Sequence, residues 1–145
     1  LNIPWGAYHY SYALNEDEMK RECAGLIALL AEMEKLYNKK PLLPIAIDME
    51  DADEWKTKHD ALDPFLLTDM CTAYVEQMED LGYPAGVYAS LSWLEDLIET
   101  RNLPLGTPLW CARWGNEPGF PGVRLWQYTD KLPIGNQYFD GDIWF

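Results

Sequence analysis

The fold of this chain turns on Pro44-Ile45-Ala46-Ile47-Asp48-Met49-Glu50, a short apolar run ending in two carboxylates two residues apart. Side chains alternate along a strand, so Asp48 and Glu50 share one face and Ile47 and Met49 share the other. With Ile47 and Met49 packed on helices, both acids fall on the interior face at the strand's C-terminal end. In a parallel β/α barrel, that end carries the chemistry. Two carboxylates held there divide acid and base duties when their surroundings push their pKa values apart. The same pattern also marks a helix start, with Asp48 capping a turn and Glu50 solvated. Spacing alone leaves both open.

Working outward, residues 5–12 (WGAYHYSY) predict an aromatic-rich strand. Asn15 and Glu18 form a capping-box signature. Met19, Cys23, Leu26, Ile27, Leu30, Met33 and Tyr37 keep the helical period, which Asn38-Lys39-Lys40-Pro41 ends. Beyond the acids, residues 51–62 predict a polar loop at the same strand end, containing Trp55 and His59. Asp63-Pro64 starts a second helix, with Leu66, Met70, Tyr74 and Met78 on its apolar face and Gly82 as its C-cap. Residues 85–89 (AGVYA) predict a strand, and Ser92 with Glu95 opens a short helix. Residues 108–114 (PLWCARW), 123–128 (VRLWQY) and 138–145 (YFDGDIWF) predict three more strands. The pattern is β-α-β-α-β-α-β, then two strands with no room for helices between them. Alternation implies a parallel sheet; the tail implies that parallel winding gives way to hairpins.

A chain of 145 residues is long enough for one domain with a real core. At 48% hydrophobic residues it is a globular chain. The net charge of −13 argues against nucleic acid and against an anionic membrane surface. No run is long and apolar enough to span a membrane. Cys23, Cys71 and Cys111 lie far apart and form neither a metal motif nor a disulfide framework. Seven Trp and nine Tyr suit both core packing and stacking on sugar rings. No signal peptide is present and the first residue is not Met, so the chain is expected to be a piece of something longer.

Taken together, six segments resemble glycoside hydrolase family 25, the lysozymes (N-acetylmuramidases) of bacteria, phages and fungi. They are WGAYHYSYA (5–13), PIAIDMED (44–51), AGVYAS (85–90), PLWCARW (108–114), LWQYTD (125–130) and FDGDIWF (139–145), in the family's order across nearly the whole chain. The resemblance implies an α/β fold, a modified TIM-like (β/α)5β3 barrel. It implies hydrolysis of the β-1,4 bond between N-acetylmuramic acid and N-acetylglucosamine in peptidoglycan, and action outside the cell or in the cell wall. No cofactor is implied. Glu50 matches the general acid/base and Asp48 its companion carboxylate, placed to stabilise an oxocarbenium-like or oxazolinium-like intermediate. Asp140, in Asp140-Gly141-Asp142, matches the acid on the last strand; Asp142 stands where the family often has Asn.

The family begins with a strand carrying a further acid in a G-x-D-x-S-type motif, then a second strand. This chain starts at what would be the third strand. It is therefore expected to be a single catalytic domain, residues 1–145, incomplete at its N-terminus. An open sheet edge is then expected, covered by a second copy or by another chain. Tyr10, Tyr88, Trp114 and Trp126 fall near strand ends and Trp55 in the acid-side loop, so these five are the candidates to line a sugar groove. Two rivals remain. One is a cell-wall carbohydrate-binding module, or a fragment active only when assembled with the missing strands. The other is a Ca²⁺ or Mg²⁺ site built from Asp48, Glu50, Asp140 and Asp142.

Overall fold

In the computed structural model, which describes residues 3–145, six strands form one sheet in the order β1 to β6. They are β1 (Ala7–Tyr10), β2 (Ile45–Asp48), β3 (Ala85–Ser90), β4 (Leu109–Ala112), β5 (Val123–Ile134) and β6 (Gln137–Trp144). Strands β1 to β5 run parallel, and β6 returns antiparallel to β5. The helices are α1 (Glu16–Tyr37), the single turn α2 (Trp55–Lys58), α3 (Pro64–Asp80) and α4 (Leu91–Asp96). This is the expected alternation, with the helix-free tail folded as a hairpin. Gly135 opens the hairpin's two-residue turn at φ +62°, a left-handed angle suited to glycine at the first central position.

Local chemistry sets the helix ends. Asn15 Oδ1 accepts from Glu18 N–H (3.0 Å) and Glu18 Oε2 accepts from Leu14 N–H (2.8 Å), so the capping box closes one residue further back than the usual form. Asn38, left-handed at φ 50°, ends α1 by donating its N–H to Glu34 O. Asp63 Oδ1 accepts from Leu66 N–H (2.9 Å), and Pro64 follows at the first helical position.

The core lies between the sheet and α1 and α3. Ile45, Ile47 and Met49 are fully buried on that outer face, beside Leu67, Met70, Tyr74, Val75 and Met78 of α3. Tyr74 OH donates to Ile45 O (3.1 Å), fixing where α3 crosses β2. The alternation predicted from the sequence therefore holds, with Asp48 on the opposite, inner face. The inner face curls: a groove of about 270 Å³ is bordered by Ala7 and Tyr8 of β1 and by Asp142 and Trp144 of β6. The chain is thus a half-barrel of the expected TIM-like kind. Among the described residues β1 and β6 are its edges, and Tyr8 and Trp144 there are exposed.

Several boundaries differ from expectation. The first strand is Ala7–Tyr10, shorter than residues 5–12. The polar segment 51–62 is not a plain loop. Asp51 caps α2 by accepting from Lys56 N–H (2.6 Å), Thr57 N–H (3.0 Å) and Thr57 Oγ1 (2.6 Å). Helix α4 starts directly after β3 with Ser90 at its N-cap, not at Ser92. Strand β5 runs on to Ile134 because β6 pairs with it there.

Candidate active site

Parallel pairing aligns Tyr10 with Asp48, Asp48 with Tyr88, and Tyr88 with Trp110. One row of inner-face side chains therefore crosses four strands, at the C-terminal ends of β1 and β2 and within β3 and β4. Tyr8, Asp48, Tyr88, Trp110, Gln127 and Asp140 enclose a cavity of about 70 Å³. Asp48 is only 8% exposed, and its Oδ1 is buried without a hydrogen-bond partner. Buried polar atoms are rarely left unpaired, and one facing a cavity is poised to take a donor from a ligand. Burial, and then the charge of Glu50, push the Asp48 carboxyl up to about 7; Lys56 and His9 oppose the rise.

Glu50 follows two residues on and is half-buried. Its Oε1 accepts from Ser90 N–H (2.7 Å) and its main-chain oxygen from Lys56 Nζ (3.1 Å). Tyr88 OH donates to Gln127 Oε1 (3.1 Å). Burial raises the Tyr88 phenol, and the charges of Glu50, Asp48, Asp140 and Asp142 add to the rise. The Trp110 ring stands edge-on to Tyr88 at 5.0 Å and to Tyr8 at 6.3 Å, and its Nε1–H donates to Asp142 Oδ1 (2.8 Å). Burial raises the Asp142 carboxyl against that hydrogen bond, with Asp140 adding to the rise.

The sequence candidates divide. Asp48, Tyr88 and Asp140 meet at one cavity, with Glu50 electrostatically linked to Asp48 and Tyr88. Tyr10 lies in the same row but is tied to the following loop: its OH donates to Asp53 Oδ1 (3.2 Å) and accepts from Ala52 N–H (3.0 Å). Burial, then the Asp53 bond, push its phenol up to about 12. Trp55 is partly exposed at the start of α2. It packs on His59 at 4.1 Å, and its Nε1–H donates to Tyr12 O (3.0 Å). Trp114 lies past β4, well exposed, its Nε1–H on Asp130 Oδ1 (2.7 Å).

Trp126 does not line the groove. It is 7% exposed within the hydrophobic core, and its Nε1–H donates to Arg113 O (2.8 Å). The reason is parity: Trp126 pairs with Cys111 on the outer face, while Gln127, one residue on, turns inward.

Sequence reasoning missed Tyr8, Trp110 and Lys56, and gave Gln127 only a buried hydrogen bond. Counting by twos from Tyr10 finds Tyr8, and Trp110 shares the parity of Trp114; no sequence signal marks Lys56. Also missed was a network on the outer side of β1. Glu22 Oε2 lies 3.1 Å from His9 Nε2 and accepts from Ser11 Oγ (2.8 Å), and Oε1 accepts from Tyr12 N–H (3.0 Å). Burial works to raise the Glu22 carboxyl, but these bonds and the nearby His9 outweigh it and lower it. Among the described residues, no group of three or more His, Cys, Asp or Glu side chains is arranged to hold a metal ion. None of the described helices is long and apolar enough to cross a membrane.

A buried carboxyl that titrates near neutrality beside a second carboxylate can keep a proton where one is needed and release it when charge develops nearby. Comparison with known proteins bears on what that chemistry serves. The profile of Glycosyl hydrolases family 25 matches residues 1–137. No curated protein sequence matches. The modular autolysin LytC from Streptococcus pneumoniae, solved with a synthetic peptidoglycan ligand, has a similar fold (TM-score 0.78, 23% identity), covering 99% of this chain and 34% of that one. So does the catalytic domain of an endolysin from a Listeria monocytogenes bacteriophage (TM-score 0.74, 19% identity), covering 96% of this chain and 66% of that one. The Cpl-1 endolysin, solved with a peptidoglycan analogue, is similar too (TM-score 0.69, 20% identity, 96% of this chain and 38% of that one). The chain spans about a third of the length of LytC.

Proposed function

This chain belongs to glycosyl hydrolase family 25, and we propose that it is a peptidoglycan hydrolase, a muramidase cleaving the β-1,4 bond between N-acetylmuramic acid and N-acetylglucosamine. On this reading residues 1–145 are a catalytic domain, or the larger part of one, acting on the cell wall. The observation that carries it is Asp48, with a buried, unpartnered Oδ1, lining an aromatic cavity together with Asp140 and feeling the charge of Glu50.

Cleavage needs a proton on the leaving oxygen and negative charge near the developing cation. Glu50 gives its proton to the glycosidic oxygen as the C1–O bond breaks. The substrate's own N-acetyl oxygen bonds to C1, and Asp48 Oδ1 accepts from the acetamido N–H, stabilising the positive charge. Asp140 adds negative charge from the far side of the cavity. Water then attacks C1 as the bond from C1 to the acetamido oxygen breaks, and gives a proton back to Glu50. Tyr10 and Trp55 on the β1–β2 side, Tyr88 and Trp110 in the middle, and Trp114 beyond β4 flank the sugars. Asp48 acts here as a carboxylate and burial pushes its carboxyl up to about 7, so the rate falls as pH drops through that value.

The test is to incubate the parent chain and Glu50→Gln with purified peptidoglycan and identify released fragments by mass spectrometry. New reducing-end muramic acid from the parent alone supports the proposal. Reducing-end N-acetylglucosamine would sink the assigned bond. No release by the parent would leave wall binding, or a fragment active only when assembled with the missing strands.

A further inference from the structure

Lys56 is 1% exposed, yet neither its spacing nor its neighbours in the sequence single it out. It sits in the one-turn helix α2, which Asp51 holds by its N-terminus. From there the side chain folds back under the strand ends. Its Nζ donates to Ser11 O, just past β1, and to Glu50 O, just past β2 (3.1 Å). Ser11 N–H in turn donates to Asp48 O (3.2 Å). The ammonium thus ties together the ends of the two strands that border the acids.

Both of its hydrogen-bond acceptors are neutral carbonyl oxygens. Taking an ammonium out of water is costly, and two carbonyls recover only part of the cost. A neutral donor would serve if holding the backbone were the whole task. What the charge adds is a field on the carboxyls around it, in a place water does not screen. We propose that Lys56 is a positioning residue: its ammonium fixes the Glu50 backbone and favours the charged form of Asp48. The catalytic half of this rests on the muramidase reading; the link between Lys56 and Asp48 does not.

The groups facing this pair come from every surrounding element. They are His9 and Tyr10 of β1, Glu22 of α1, Glu50, Asp51 and Asp53 after β2, Cys71 of α3 and Tyr88 of β3. Burial lowers the Lys56 ammonium, while Asp51, Glu22, Asp48 and Asp53 hold it up. Lys56 and His9 are the cations that pull Asp48 down.

The experiment follows the Asp48 carboxyl by ¹³C NMR across pH 4–9 in the parent, Lys56→Met and Lys56→Gln. Gln keeps a donor and loses the charge; Met loses both. In both variants the Asp48 midpoint is expected to rise by about one pH unit. The acidic limb of kcat/KM on peptidoglycan should move with it, and Lys56→Met should lose roughly tenfold at pH 6 through a looser Glu50. An Asp48 midpoint unchanged in either variant overturns the proposal. If neither variant folds, the parent decides. Its Lys56 ¹⁵Nζ shift must move in step with the Asp48 titration, and a flat trace overturns the link. Cleavage by the parent with an unmoved midpoint removes the Lys56 role and leaves the muramidase reading standing. A moved midpoint without any cleavage does the reverse.

Discussion

Adjacent residues of the same strands meet opposite surroundings on the two faces of this sheet. On the outer face Ile47, Met49, Val87, Ala89 and Cys111 are completely buried against the helices, and none of these side chains carries a charge. One residue away, the inner face carries Asp48 with an unpartnered buried oxygen, Tyr88 with a raised phenol, and Trp110 hydrogen-bonded to an acid. The outer face supplies apolar burial. The inner face accepts desolvated charge, which works against folding and supplies reactivity. Strand parity is all that separates the two duties, so substitutions one position apart should act on different observables.

The largest expected effect is on the inner face. Glu50→Gln keeps an oxygen for Ser90 N–H, so stability should change by less than about 0.5 kcal/mol. Release of reducing ends from peptidoglycan should fall by at least ~100-fold, the usual range for a lost general acid. On the outer face Ile47→Ala should do the opposite. It should cost about 3 kcal/mol in urea unfolding, with cleavage per folded molecule unchanged within about twofold. If Ile47→Ala inactivates molecules shown to be folded, the two faces are not independent.

Parity also explains what the sequence made legible. Alternation in Ile47-Asp48-Met49-Glu50 told inner from outer on β2, and the caps at Asn15 and Asp63 placed both long helices. Strict alternation carried from Val123, which pairs with Leu109 in the core, turns Trp126 inward. A bulge of β5 against β4 between Val123 and Leu125 reverses the phase and sends Trp126 outward, and no residue of VRLWQY marks it. Lys56 was hidden for a different reason. Its role depends on Asp51 nucleating a single helical turn, a contact five residues long that no periodicity reveals. Ser90 acts on Glu50 through its backbone N–H, which no side-chain pattern marks.

Asp48→Asn tests whether the inner face is costly. The Asp48 carboxyl lies near 7 in the folded chain against an ordinary 3.8, so the native state holds the extra proton between those values. Stability should therefore fall as pH rises from about 4 to about 7 and stay low above that. Asp48→Asn removes the titrating group. At pH 8 the variant should be more stable than the parent by on the order of 2 kcal/mol, and near pH 4 about equal. Urea unfolding at the two pH values reads this directly. Equal stability at pH 8 would mean the carboxyl has found a partner there, and the contrast between the faces would lose its main support.

The finest test compares two tryptophans of opposite parity, Trp110 and Trp126. Each donates its indole N–H, Trp126 to Arg113 O and Trp110 to Asp142 Oδ1. Trp126→Phe leaves a half-buried carbonyl short of a donor and a gap in the core. It should cost roughly 1–2 kcal/mol of stability and leave KM for peptidoglycan where it was. Trp110→Phe loosens an acid and an aromatic wall beside the cavity, so KM should rise several-fold while stability changes by no more than about 1 kcal/mol. The pair is informative because chemistry and size change identically in both. A shared stability loss with no difference in KM would show that the inner row is packing after all, and that the sugars lie elsewhere.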